Sequence, residues 1–210
     1  MARMIAAGLG ALMLSACSPG KAALPVGAPA PDFTTQASLA GKPFPFHLAD
    51  ALKKGPVVLY FYPAAFTSGC TVEAHDFAEA TDAFKAQGAT VIGVSGDDID
   101  KLNRFSVSEC RNKFAVASAD GKLISAYKVK LPVLARSNRT SYVIAPDGKV
   151  IFVYTALDPA GHVEKTMAAV KAWRAAHPAG WSGRLIIRVS APACRGRHRW
   201  CLYEIPPRNS

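Results

Sequence analysis

The run Val57-Val58-Leu59-Tyr60-Phe61-Tyr62, stopped at once by Pro63, constrains the fold of this chain more than any other stretch. Consecutive β-branched, aliphatic and aromatic residues leave almost no polar side to face water, which is the pattern of a strand covered on both faces. Such a strand needs layers above and below it, and the rest of the chain must supply them. From Thr71 to Gln87 the apolar residues Ala74, Phe77, Ala80 and Phe84 recur at helical spacing, and Gly88 ends that helix. Thr90–Ser95 is a second buried strand. Asp97 and Asp98 then stand where a helix start favours acids, with Ile99, Leu102 and Phe105 as its inner face.

The pattern continues in the same alternation. Phe114–Ala117 reads as a weaker strand and Lys122–Tyr127 as a short helix. Thr140–Ala145 and Val150–Tyr154 flank Pro146-Asp147-Gly148-Lys149, a hairpin turn by composition. Val163, Met167, Val170 and Trp173 mark a final amphipathic helix, and Phe44–Leu48 an early strand after the Gly41-Lys42-Pro43 turn. Strands alternating with helices give a parallel portion, and the hairpin adds antiparallel strands. The expected class is α/β, with a mixed central sheet and helices on both faces. A chain of 210 residues, 50% hydrophobic, has enough material for one such core and little more. The domain is expected over 32–176.

The two ends read differently. Arg3 precedes an apolar run, Met4–Leu14, which is too short to span a bilayer comfortably and has the size of a signal-peptide core. Leu14-Ser15-Ala16-Cys17 resembles the bacterial lipobox. The resemblance implies a signal peptide over 1–16 and lipidation of Cys17, with Ser18 directing the product to the outer membrane. The expected location is the bacterial cell envelope, lipid-anchored and facing the periplasm. Acyl chains contribute about 0.8 kcal/mol per buried CH₂, so several of them anchor firmly. Residues 17–31, rich in Pro, Gly and Ala, read as a tether. At the other end, 177–210 form a basic tail, either a disordered extension or an altered reading frame. Arg184, Arg188, Arg195, Arg197, Arg199 and Arg208 there face the single acid Glu204, so about half of the net charge of +10 lies in the last thirty residues. That charge argues only weakly for nucleic acid, and membrane tethering argues against it.

Among Cys17, Cys70, Cys110, Cys194 and Cys201 there is no C-x-x-C pair and no zinc-like cluster. Cys70 stands out by its setting. Pro63-Ala64-Ala65-Phe66-Thr67-Ser68-Gly69 joins the buried strand to the helix, which puts Cys70 in the first helical turn. Unpaired backbone N–H groups and the positive end of the helix dipole favour thiolate over thiol there. The bland alternative is a buried structural cysteine.

Pro63, Thr67 and Cys70 match P-x-x-x-T-x-x-C, flanked by Leu59-Tyr60-Phe61-Tyr62 and Thr71-Val72-Glu73. With Pro31-Asp32-Phe33 upstream and Arg139-Thr140-Ser141-Tyr142-Val143-Ile144 downstream, the stretch from Leu24 to Trp173 resembles the peroxiredoxin family, nearest the branch of the bacterioferritin comigratory protein. The resemblance implies a thioredoxin-like fold and reduction of hydrogen peroxide or organic hydroperoxides. It implies thioredoxin or another thiol as reductant, a monomer or homodimer, and no cofactor or metal. It makes Cys70 the peroxidatic nucleophile. Thr67 would orient a peroxide oxygen, Pro63 would shield the thiolate, Arg139 would hold thiolate and peroxide, and Glu73 would place Arg139. Arg136 competes with Arg139 for that role, and Glu73 reads equally as a surface acid. Some relatives carry the resolving cysteine five residues after the first; here that position is His75, expected to face solvent. Cys110, at the end of the helical stretch Asp97–Glu109, is then the candidate resolving cysteine. A thiol–disulfide oxidoreductase would need C-x-x-C, and Glu73 occupies its second cysteine position. A non-catalytic envelope lipoprotein keeping the scaffold is the other alternative.

Overall fold

The computed structural model describes residues 23–132 and 136–178. The expected signal peptide, Cys17 and the tail beyond residue 178 therefore lie outside the described residues. The chain opens with a hairpin of β1 (Thr34–Leu39) and β2 (Lys42–His47), then a one-turn helix α1 (Leu48–Leu52). The alternating portion follows: β3 (Val57–Phe61), α2 (Ser68–Ala86), β4 (Thr90–Ser95), α3 (Ile99–Ser108), β5 (Ala115–Ser118) and α4 (Gly121–Ala126). The antiparallel pair β6 (Thr140–Ile144) and β7 (Val150–Thr155) and the helix α5 (His162–Ala176) complete it.

One seven-stranded sheet results, in the order β2-β1-β5-β4-β3-β6-β7. β3 runs parallel to β4 and β4 to β5, while β6 joins β3 antiparallel and β1 joins β5 antiparallel. The expected mixed α/β architecture holds. β3, the strand with no polar side, is interior, and its residues are fully buried. Successive side chains on it alternate between the two layers. Val57, Leu59 and Phe61 join the layer with Leu48, Ile124 and Tyr127, under α1 and α4. Val58, Tyr60 and Tyr62 join the layer with Phe77, Phe84, Leu102, Phe105 and Val170, under α2, α3 and α5.

Three expectations change. β1 and α1 are additional elements, and Leu48 opens α1 instead of closing a strand. Residues 23–31, read as the end of a tether, pack on the domain. Leu24 is 7% exposed in the core layer of α1 and α4, and burial of such a side chain is worth roughly 1.5–3 kcal/mol. The Gly27 N–H donates to the Val150 carbonyl at 2.8 Å and the Ala30 N–H to that of Gly148 at 2.8 Å, so this segment is held to the β6–β7 hairpin. The helix carrying Cys70 starts at Ser68, three residues before its apolar pattern does, because Thr67 is extended and serves as its N-cap residue.

Candidate active site

β3 ends at the centre of the sheet edge from which α2 leaves, and the connecting loop is pinned on both sides. The Asp97 carboxylate, between β4 and α3, accepts the Ala65 N–H at 2.7 Å and the Ser95 hydroxyl at 2.9 Å. On the other side the Ser137 hydroxyl donates to the Tyr62 carbonyl at 2.8 Å. Held this way, the loop takes a conformation few side chains adopt. Phe66 sits at φ +66°, in the left-handed region, with its ring edge-on to Phe105 at 5.2 Å.

Cys70 is the third residue of α2 and is 2% exposed. It therefore stands in the first helical turn, whose N–H groups have no partner in a preceding turn. Pro63 is half-buried and Thr67 exposed. The Thr67 hydroxyl donates its proton to the Ala64 carbonyl at 2.9 Å, which leaves its oxygen free to accept.

Arg139, immediately before β6, is 5% exposed and uses three of its nitrogens at once. Nε donates to the Leu157 carbonyl at 2.9 Å, Nη1 to Glu73 Oε2, and Nη2 to Cys70 Sγ at 3.6 Å. A guanidinium fixed at three points is a preorganised positive charge against the sulfur. Of the two arginines, Arg139 meets Cys70, while Arg136 is exposed. Glu73 is fully buried under Arg139, so its reading as a surface acid is corrected. Burial pushes the Glu73 carboxyl up to about 8, against the pull of Arg139.

Behind Glu73 lies His162, the first residue of α5 and fully buried. Its Nδ1 is 2.8 Å from the Ser141 hydroxyl and 3.6 Å from Glu73 Oε1, and its Nε2 is 3.3 Å from the Ala156 carbonyl. Burial lowers His162 from 6.5 to about 4. Sequence reasoning assigns neither His162 nor Asp97 to the site. A single histidine opening a helix carries no signal of its own, and only the packing of α5 under α2 reveals it.

Cys110 is fully buried just past α3, and Cys70 and Cys110 are both free thiols. Burial pushes the Cys110 thiol up. His75, expected in solvent, is half-buried, with Nε2 2.9 Å from the carboxylate of Glu109, the neighbour of Cys110. The first turns of α2 and the end of α3 are thus joined directly. Among the described residues no group of three or more His, Cys, Asp or Glu side chains has the arrangement to hold a metal.

A mixed α/β sheet that buries a helix-start cysteine against a fixed arginine defines a thiol-based oxidoreductase. The chain belongs to the AhpC/TSA family, whose model matches residues 26–153, and it is a peroxiredoxin, a peroxidase that uses peroxide substrates and thiol reductants. The crystal structure of peroxidoxin BcpB from Mycobacterium tuberculosis superposes with a TM-score of 0.64 at 32% identity, covering 70% of this chain and 96% of that one. The chloroplastic peroxiredoxin Q of Arabidopsis thaliana is 36% identical over 149 residues, 70% of this chain and 67% of the relative. A cysteine-to-serine mutant of PrxQ from Xylella fastidiosa shares the fold, with a TM-score of 0.64 at 24% identity over 72% of this chain and 98% of that one. The thioredoxin-like fold implied by the sequence is therefore the fold of this chain.

Proposed function

We propose that Cys70 is the peroxidatic cysteine and reduces hydrogen peroxide and organic hydroperoxides through a sulfenic acid. The observation that carries this reading is the 3.6 Å approach of the Arg139 guanidinium to a sulfur at a helix start. The thiolate attacks the terminal peroxide oxygen, forming the S–O bond as the O–O bond breaks. The departing oxygen leaves as alcohol or water after taking a proton, and Cys70 becomes Cys–SOH. Arg139 holds the thiolate and the peroxide oxygens in line, Thr67 accepts from the peroxide O–H, and Pro63 limits water at the sulfur.

The sulfenic acid is then attacked by the thiol of Cys110, giving a Cys70–Cys110 disulfide and water, and a thioredoxin-like dithiol reduces the disulfide. A disulfide needs a Cα–Cα separation of roughly 7 Å or less, which local unwinding of the end of α3 would let Cys110 reach. Unwinding the end of α3 would require the His75–Glu109 contact to break. The backbone just past α3 is left-handed at Arg111 (φ +49°) and Asn112 (φ +59°). The cellular role would be antioxidant defence and redox homeostasis in a bacterial envelope. Cys17 would carry the lipid anchor facing the periplasm, and the protein would act as a monomer or homodimer.

Purified full-length protein is expected to consume peroxide with dithiothreitol, and Cys70→Ser to abolish that turnover. Retained turnover in the serine variant would end the assignment. Peptide mass spectrometry after one equivalent of peroxide is expected to show the Cys70–Cys110 link. A persistent sulfenic acid would mean that an external thiol resolves it instead.

A further inference from the structure

The Arg139 guanidinium has two claimants, the Cys70 sulfur and the Glu73 carboxylate. How much of its charge serves the sulfur therefore depends on the charge of Glu73. Glu73 Oε2 is taken by Arg139, but Oε1 is buried and has no hydrogen-bond donor among the described residues. A buried carboxylate oxygen without a donor is costly, so something must compensate it. The atom it faces is His162 Nδ1, at 3.6 Å.

The tautomer of His162 follows from its other contact. Nε2 faces the Ala156 carbonyl, which can only accept, so Nε2 carries a proton. In the neutral ring Nδ1 then holds a lone pair, and the Ser141 hydroxyl donates to it. With Glu73 ionised and His162 neutral, two lone pairs oppose each other 3.6 Å apart between buried side chains. One proton between Oε1 and Nδ1 removes that conflict, whichever atom carries it.

We infer that Glu73 and His162 hold one shared proton, and that this makes His162 a positioning residue for the Cys70 site, setting how much of the Arg139 charge is left for the sulfur. With the proton in place, the buried cluster contains the Arg139 cation, the Cys70 thiolate and a neutral Glu73–His162 pair. Its net charge is zero. When the thiolate becomes a sulfenic acid the cluster would become cationic, and loss of the shared proton restores neutrality. The leaving oxygen of the peroxide requires one proton at the same step, so the protein as a whole can complete the reaction with no net uptake from solvent. Without the shared proton, a second anion competes with the thiolate for Arg139, and the reduced site is weakened.

The groups facing the pair come from every element around it. Arg139 precedes β6, Tyr60 lies on β3, and Cys70 and Asp76 share α2 with Glu73. Asp158 and Lys165 flank His162, and Lys165 itself sits 3.7 Å over the Tyr154 ring, which packs edge-on against His162. Glu73 and His162 are buried side by side among these.

This inference rests on Cys70 being the reacting thiol, and two readouts separate the claims. One is peroxide consumption. The other is the alkylation rate of Cys70 by iodoacetamide as a function of pH, followed on the Cys70 peptide by mass spectrometry, which needs no peroxidase turnover. Both are expected to show an alkaline inflection near 8, where burial places the Glu73 proton. His162→Phe keeps an aromatic ring in place but removes both ring nitrogens, and with them the Nδ1 acceptor and its opposing lone pair, so the shared proton is held less tightly. The inflection should move down by about half a pH unit or more. Ser141→Ala releases Nδ1 from the competing hydroxyl, and the inflection should move up. Shifts in opposite directions establish the pair. An unmoved inflection, or a uniform loss of rate at all pH values, would show His162 to be packing alone. If His162→Phe does not fold, the direction of the Ser141→Ala shift decides. An inflection in alkylation without peroxide consumption in the wild type would overturn the proposed peroxidase mechanism and leave the pair standing.

Discussion

Gly69 sits directly before Cys70, and a methyl group on it would lie 3.0 Å from Arg139 Nη2. Nothing else in the local backbone calls for glycine, since the residue is helical. Alanine in that position would favour the helix by up to about 1 kcal/mol. It would also push the guanidinium by a few tenths of an ångström, and Arg139 has little freedom to yield because the Leu157 carbonyl and Glu73 hold its other nitrogens. Misplacement of a catalytic charge on that scale costs several-fold to about tenfold in rate. Gly69→Ala is therefore expected to keep or raise the melting temperature while kcat/KM for peroxide falls. Equal losses in both would show that the close approach matters to packing and not to the sulfur.

At the scale of elements, the loop leading to Cys70 depends on the link between β4 and α3. Asp97 accepts the Ala65 N–H, the Ser95 hydroxyl and, at 2.6 Å, the Lys101 ammonium. Removing the carboxylate leaves Ala65 without its acceptor and releases a loop that holds Phe66 in the left-handed region. Asp97→Ala should cost about 1–3 kcal/mol in urea unfolding and lower peroxide turnover. Asp97→Asn, which keeps an acceptor for Ala65, should recover most of both. An alanine variant of unchanged stability would remove the loop clamp from consideration. The same elements show what a sequence carries and what it does not. β3, β4, α2 and α3 were legible because each has an unbroken apolar run or a strong helical period of its own. β1 was not, because Thr34-Thr35-Gln36-Ala37-Ser38 has no apolar alternation and is a strand only through its pairing with β2 and β5. α1 is a single turn, too short for a period to show. Cys70, Thr67 and Pro63 were legible since they share one short motif. Asp97 and His162 reach the site from distant segments, so no local pattern could announce them.

Over the whole molecule, Glu73 and His162 also shape how stability depends on pH. Stability rises with pH wherever the unfolded chain binds more protons than the folded one, and falls where it binds fewer. The folded Glu73 is raised from 4.5 to about 8, so its contribution is full below 4.5 and is lost as pH rises through 8. The folded His162 is lowered from 6.5 to about 4, so its contribution is present above 6.5 and is lost as pH falls toward 4. Between 4.5 and 6.5 the two cancel, because the unfolded chain carries a proton on histidine and the folded chain carries one on Glu73. The expected urea-unfolding profile from these two groups is a plateau over that window. From 6.5 to about 8 it falls at up to about 1.4 kcal/mol per pH unit, and below 4.5 it falls on the acid side. His162→Phe removes the compensating histidine. Its stability should therefore decline from pH 4.5 upward without a plateau, and the difference between the two proteins should change steadily across the window. Parallel profiles for wild type and variant would mean that the folded chain does not move its proton from His162 to Glu73.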